Sequence, residues 1–249
     1  MFSKKNEKTE IYEDCATWYS TPAGAYALKQ LDNEIENYLG KIFGYYALEM
    51  GALIDRHQFL DKSRVRSCFS LGYGGGQKNV ALKAKVSALP IDVDSVDLVL
   101  ASHVLECADN PHHVLREIDR VLVPEGHCLF ISFNSLAIWS GHRTCCKHMG
   151  RTVKPYGTHR IRDWFSVLGW EMLDVSYVGF RSSYLKGKMF DRLVKLEKWG
   201  SLYWPIFSNI TIIHAKKHAL IMPITKQKRQ KASIIVPTNV AINPTSRSN

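Results

Sequence analysis

LPIDVDSVDLVLASHVLECADNPHHVLREIDRVLVPEGHCLFISF, from Leu89 to Phe133, holds a strand, a crossover helix and a second strand in that order. Val96-Asp97-Leu98-Val99-Leu100-Ala101 is a short apolar run rich in branched side chains, as suits a strand buried on both faces. Asn110-Pro111 punctuates the chain and starts a helix. In that helix Val114, Leu115, Ile118, Val121 and Leu122 recur at helical spacing, while Arg116, Glu117, Asp119 and Arg120 fill the other face. Pro124-Glu125-Gly126 ends it, and Cys128 to Phe133 is the second apolar run. Two buried strands joined by a helix of about three turns form a right-handed parallel crossover. In such sheets ligands lie beyond the carboxyl ends of the strands.

Upstream, Arg66-Ser67-Cys68-Phe69-Ser70-Leu71 reads as a further strand running into Gly72-Tyr73-Gly74-Gly75-Gly76. A glycine-rich turn after a strand lets a ligand approach the backbone closely, although glycine clusters also make ordinary turns. The adjoining Leu89 to Phe133 block weighs toward a ligand loop. Elsewhere, a helical pattern runs from Ala23 to about Leu53 through Leu28, Leu31, Ile35, Leu39 and Tyr46, bent near Gly40 and Gly44. Helices are also expected over Leu136 to Met149, Thr158 to Gly169 and Lys186 to Trp199, with strands at Glu171 to Phe180 and Ile210 to Ala215.

The chain has 249 residues, 45% of them apolar, enough for one α/β domain with extensions. Residues 1–10 are polar and expected to be mobile, residues 11–216 form the domain, and residues 217–249 form a basic disordered tail. The formal net charge is +10, and Lys216, Lys217, Lys226, Lys228, Arg229, Lys231 and Arg247 belong to a stretch without acidic residues; subtracting these seven leaves about +3. Such a tail can attract nucleic acid or an anionic surface, although no interleaved aromatic pattern accompanies it and a solvated charge run explains it equally well. No apolar run reaches membrane-spanning length and no secretory leader precedes the domain, so a cytoplasmic protein is expected. The six cysteines lack framework spacing, and Cys68 and Cys128 fall within strands expected to be buried.

Over residues 66 to 134 the chain resembles the class I S-adenosylmethionine-dependent methyltransferases, in particular the type 11 methyltransferase domain. LGYGGG resembles that family's strand-to-glycine-loop motif, LPIDVDSVDLVLASHVLE its Leu-Pro segment with the following strand, and HHVLREIDRVLVPEGHCLFISF its helix and next strand. The likeness is weaker over Trp18 to Leu53 and Ser135 to Lys216. It implies a Rossmann-like, mostly parallel sheet flanked by helices, shortened in its first half and closed by an antiparallel pair. It also implies S-adenosylmethionine as cofactor and a methyl acceptor that the shared fold does not specify. By the same resemblance Gly72, Gly74 and Gly76 approach the methionine part of the cofactor. Ala88 and Leu89 lie against adenine, and Ala101, Ser102 and His103 form the wall beyond the next strand.

Two departures bear on activity. Only about a dozen residues separate Gly76 from Leu89, leaving no candidate for the family's ribose-binding carboxylate at the end of the second strand. Where the family places an acid that accepts a hydrogen bond from the adenine amine, this chain has Lys85, which cannot accept one. Losing both contacts costs about 3 to 6 kcal/mol, on the order of a hundredfold to ten-thousandfold in affinity. The alternative to an enzyme is a methyltransferase-like scaffold or interaction module that has lost cofactor competence.

His103 is the candidate catalytic group, able to take a proton from an oxygen or nitrogen acceptor, or else a histidine hydrogen-bonded within a loop wall. Glu106 either orients it or caps a helix. Trp18 and Tyr19 either anchor the leading helix on the sheet or stack on the cofactor. His142, Cys145, Cys146 and His148 have ligand chemistry at helical spacing, but adjacent cysteines rarely share one zinc and no metal site is expected.

Overall fold

A computed structural model describes residues 3–72, 80–135, 153–180 and 208–219, with only the backbone for residues 3–10. Two helices come first, α1 (Ser3–Trp18) and α2 (Pro22–Leu39). Helix α1 thus begins inside the stretch expected to be mobile. Thr21 caps α2 by accepting a hydrogen bond from the Gly24 N–H at 3.1 Å, with Pro22 in the first turn, where its missing N–H is harmless. Ala27, Leu31, Ile35 and Leu39 then line one buried face.

The helix stops at Gly40, and the chain enters β1 (Tyr46–Gly51), which corrects the expected helix through Leu53. Tyr46 to Met50 is rich in good helix formers, so local propensity misleads here. The strand exists because parallel neighbours flank it on both sides: β2 (Ser67–Gly72) and β4 (Val96–Ser102). Asp97 ties down its first turn, its Oδ2 accepting from the Tyr45 and Tyr46 N–H groups at 2.8 and 2.9 Å.

Completing the sheet are β3 (Leu82–Lys83), β5 (Leu122–Phe133), β6 (Trp170–Val178) and β7 (Ile210–Lys217), in the order β3-β2-β1-β4-β5-β7-β6. The first five strands run parallel, and β7 pairs antiparallel with both β5 and β6. The mostly parallel sheet with an antiparallel closing pair is therefore present. Its first half has all its strands, and the shortening falls on the connections. A single 3₁₀ turn (Phe59–Lys62) stands between β1 and β2, and nine residues separate β2 from β3.

Between β4 and β5 lie α3 (Val104–Cys107) and α4 (Pro111–Val121); α5 (Thr158–Leu168) precedes β6. Asn110 caps α4 through its side chain, which accepts from the His112 and His113 N–H groups. Gly169 ends α5 with φ of 74°, a left-handed conformation that glycine adopts without penalty. Leu122 already pairs with Val96, and pairing resumes at Leu98 with His127, so Pro124-Glu125-Gly126 forms an irregularity within β5 and not a loop before it.

Alternate residues of each strand face opposite layers. Leu98, Leu100, Leu129, Ile131 and Ile212 pack under α1 and α2; Val99, Ala101, Cys128, Phe130 and Ile213 pack under α4 and α5. Cys128 is buried as expected, but Cys68 is exposed; among the described residues no α-helix lies between β1 and β2 or between β2 and β3. The expected helices over 136–149 and 186–199, the His142 to His148 cluster, and the tail beyond residue 219 lie outside the described residues. None of the described helices is long and apolar enough to cross a membrane.

Candidate functional site

The strand order reverses between β1 and β4, and the carboxyl ends of those two strands therefore define the ligand crevice of this sheet. Sequence reasoning placed the glycine run at that point. Gly72 instead closes β2, one strand away, because Tyr46–Gly51 precedes it in the sheet. Gly74 and Gly76 lie outside the described residues.

The turn that does leave the switch point is Gly51-Ala52-Leu53. Gly51 has φ of 113°, and a Cβ there would stand 1.9 Å from the Ser102 carbonyl oxygen. Only glycine permits this approach. The turn is stitched to the end of β4: the Ala52 N–H donates to the Ser102 carbonyl at 2.9 Å, and the Leu53 N–H donates to Ser102 Oγ at 3.1 Å. Ser102 Oγ in turn donates to the Met50 carbonyl. Ser102 thus lies at the expected wall, fully buried, with its hydroxyl engaged by the protein.

His103 follows with φ of 57° and no solvent exposure. Its Nε2 lies 2.6 Å from the Tyr19 hydroxyl, and its Nδ1 contacts Glu106 Oε1. Both Glu106 oxygens accept from the Phe133 N–H, at 3.3 and 3.1 Å. With Glu106 ionised, the arrangement that satisfies every group has Nδ1–H donating to the carboxylate and Nε2 accepting from Tyr19. Burial above all, then the nearby Glu106 charge, pushes the Tyr19 hydroxyl well above its ordinary range and keeps it a donor. Glu106 therefore orients the imidazole. Tyr19 and Trp18 anchor the helices: Trp18 packs edge-on against Phe133 with ring centroids 5.3 Å apart.

Beside this network a cavity of about 250 Å³ opens beyond β4, lined by Lys85, Ser87, Asp109, Asn110 and His113, with Tyr12 of α1 as a wall. Ala88 is exposed next to it, while Leu89 is buried and fastened to α4, its N–H donating to Glu117 and its carbonyl accepting from Arg120. Lys85, read as the substitute for an acidic residue, lines the cavity. Asp109 and Asn110 also line it, with Asn110 Oδ1 already accepting from the His112 and His113 N–H groups. The described end of β2, Leu71-Gly72, bears no carboxylate.

Sequence reasoning missed Glu49 altogether, since it assigned that stretch to a helix. Its side chain comes from the middle of β1, 3% exposed, and Oε1 lacks a hydrogen-bond partner among the described residues. Burial pushes its carboxyl up to about 7; the Leu60 and Phe59 N–H groups pull it down, and Asp61 adds a small upward push. The only signal in the sequence was an acid amid apolar residues just before a glycine. No group of three or more His, Cys, Asp or Glu side chains able to hold a metal ion occurs among the described residues.

Residues 70–130 match the profile of a family described as a methyltransferase domain. Over 174 residues the chain is 28% identical to the uncharacterized protein YafS of Escherichia coli K12, covering 68% of this chain and 70% of that one. Among solved structures it is similar to a SAM-dependent methyltransferase of Archaeoglobus fulgidus, with a TM-score of 0.55 and 12% identity over 76% of this chain and 94% of that one. It is also similar to the [4+2]-cyclase SpnF, with a TM-score of 0.52 and 15% identity over 76% of this chain and 80% of that one. At these identities the structural likeness is one of fold.

Proposed function

We propose, on the premise that the chain belongs to the class I S-adenosylmethionine-dependent methyltransferases, that it binds S-adenosylmethionine beyond β1 and β4 and transfers the methyl group. The observation that carries this reading is a coincidence of place. The segment matching the methyltransferase domain supplies β4, α4, most of β5 and, apart from Tyr12, the residues that line the cavity beside them. The acceptor stays open, since loops around a shared crevice set it.

When bound, the cofactor would supply an electrophilic methyl group on a sulfonium, open to in-line attack by an acceptor lone pair with the thioether S-adenosylhomocysteine as the leaving group. The protein's share is positioning and exclusion of water. In this reading Ala88 and Leu89 flank adenine, Asp109 offers an acceptor that Lys85 cannot, and Gly51 allows close backbone approach to the methionine part. Gly72, with Gly74 and Gly76, would border the crevice from the neighbouring strand. Ser102 and His103 form its floor. His103 acts as a base only if Tyr19 moves off Nε2; with both ring nitrogens engaged it holds the end of β4 in place. A cytoplasmic setting belongs to the same reading.

A second reading, a methyltransferase-like interaction module without cofactor, is favoured by the switch-point turn, whose hydrogen bonds to Ser102 are internal, and by the absence of a carboxylate at the described end of β2. Isothermal titration with S-adenosylmethionine and S-adenosylhomocysteine separates the two. Saturable heat with both ligands, and a matching rise in melting temperature, is expected. Neither heat nor thermal shift at millimolar ligand would remove the enzyme reading and leave the module.

A further inference from the structure

We propose that the α4–α5 face beside the cavity is a docking surface for single-stranded nucleic acid. Charge and aromatic rings that lie more than forty residues apart in sequence meet there. His112 stacks edge-on against Trp164 with ring centroids 4.6 Å apart, and Tyr156 meets the other side of Trp164 at 4.8 Å. Arg116 lies four residues after His112 on α4, and Arg160 four residues before Trp164 on α5, so each stands one turn along the stripe that carries its aromatic neighbour. Both arginines are exposed, as are His112 and Lys154. Trp164 and Tyr156 are half-buried.

Arg116, Lys154 and Arg160 have no carboxylate partner among the described residues, whereas Arg120, one turn further along α4, is paired with Glu117. The carboxylates nearby are Asp109 at the cavity, Asp163 on α5, Glu117, already bound to Arg120, and Asp119, which accepts from the Trp170 indole at 2.7 Å. Three cations without a carboxylate partner among the described residues, flanking a tier of rings, form the pattern that tracks a phosphate backbone and stacks bases without reading sequence. In this fold the amino ends of α4 and α5 face the crevice side of the sheet, which adds a further preference for anions. The face also adjoins the cavity: His113 lines it, and the Lys154 N–H donates to the Glu106 carbonyl at 3.4 Å. A strand lying across α4 and α5 would pass the mouth of the proposed methyl-transfer site. The docking surface itself does not depend on that site.

The test is fluorescence anisotropy of the full chain, without cofactor, against short labelled single-stranded RNA and DNA of the same mixed sequence. Each of three phosphate contacts contributes about −0.7 to the slope of log affinity against log salt on a single strand, so a slope of roughly −2 is expected between about 50 and 200 mM salt. Arg116→Ala/Arg160→Ala, both exposed, should weaken binding roughly tenfold or more and make the slope shallower by about 1.4. Arg116→Lys/Arg160→Lys should restore most of the slope. His112→Ala should weaken binding with the slope unchanged, because stacking releases no counterions.

In the opposite control, Lys226→Gln/Lys228→Gln/Arg229→Gln/Lys231→Gln in the full chain should change affinity less than about threefold. Comparison of the two labelled strands decides between RNA and DNA. The proposal fails if neither strand binds. It fails equally if the tail variant loses binding while the arginine variant keeps it, or if phosphatidylglycerol vesicles bind through the arginines and the strands do not.

Discussion

Glu49→Gln should make the protein more stable at alkaline pH and leave it almost unchanged near pH 4. The parent carboxyl is buried in the centre of the sheet, and burial raises it from 4.5 to about 7. Between those two values the folded chain keeps a proton that the unfolded chain has released. The native state therefore binds more protons in that window, and stability falls as pH rises through it. The rise corresponds to about 3 kcal/mol, fully lost by about pH 8. Glutamine has nearly the same shape, keeps a carbonyl for the Phe59 and Leu60 N–H groups, and never ionises. The variant should therefore exceed the parent by up to about 3 kcal/mol at pH 8, with the gap closing toward pH 4. Urea unfolding followed by tryptophan fluorescence at a series of pH values measures this directly, provided the m-value is the same for both chains. Parallel stability curves for parent and variant across the range would mean that Glu49 ionises without cost, and that the carboxyl is hydrated and not buried.

Gly51→Ala should cost at least about 2 kcal/mol by the same unfolding assay, because it imposes a side chain on a left-handed backbone and drives it into the Ser102 carbonyl. Gly40→Ala, with φ of −62° and its new Cβ 3.4 Å from the nearest oxygen, should stay within about 1 kcal/mol of the parent. Equal effects at the two sites would contradict the geometry given for the switch-point turn. Tyr19→Phe leaves His103 Nε2 buried without its partner and should destabilise by about 1 to 3 kcal/mol; a neutral result would mean that water replaces the hydroxyl. Lys85→Asp returns an acceptor to the cavity and should tighten S-adenosylhomocysteine binding roughly tenfold in calorimetry. An unchanged or weaker affinity would take Lys85 out of the adenine site.

Legibility followed the range of the interactions. The Leu89 to Phe133 crossover was readable because strand, helix and strand each declare themselves by local periodicity, and Asn110-Pro111 starts α4 where the cap geometry requires. The strand at Tyr46–Gly51 was not readable, since its residues favour a helix and only its two parallel neighbours make it a strand. That one misplacement left the turn at Gly51 unread and hid Glu49. Cys68 was expected inside for the same kind of reason: β2 has a buried strand's composition, but among the described residues no α-helix stands beside it in the chain to cover it. Ser102 and His103 could be placed at the end of β4 from sequence. The Tyr19 hydroxyl on His103 could not, because the two residues are 84 positions apart.

Taken alone, the sequence determined a parallel crossover sheet, the methyltransferase resemblance and the positions of α4, β4 and β5. These are properties of short windows, in which periodicity and punctuation express backbone preference directly. The tertiary structure decided which strand stands at the switch point, that Ser102 and His103 are held by Gly51, Leu53, Tyr19 and Glu106, and that Arg116 and Arg160 share a face with Trp164. Each of these depends on contacts between segments distant in the chain. Such contacts are set by how sheet and helices pack against one another, and no local pattern of residues encodes that packing.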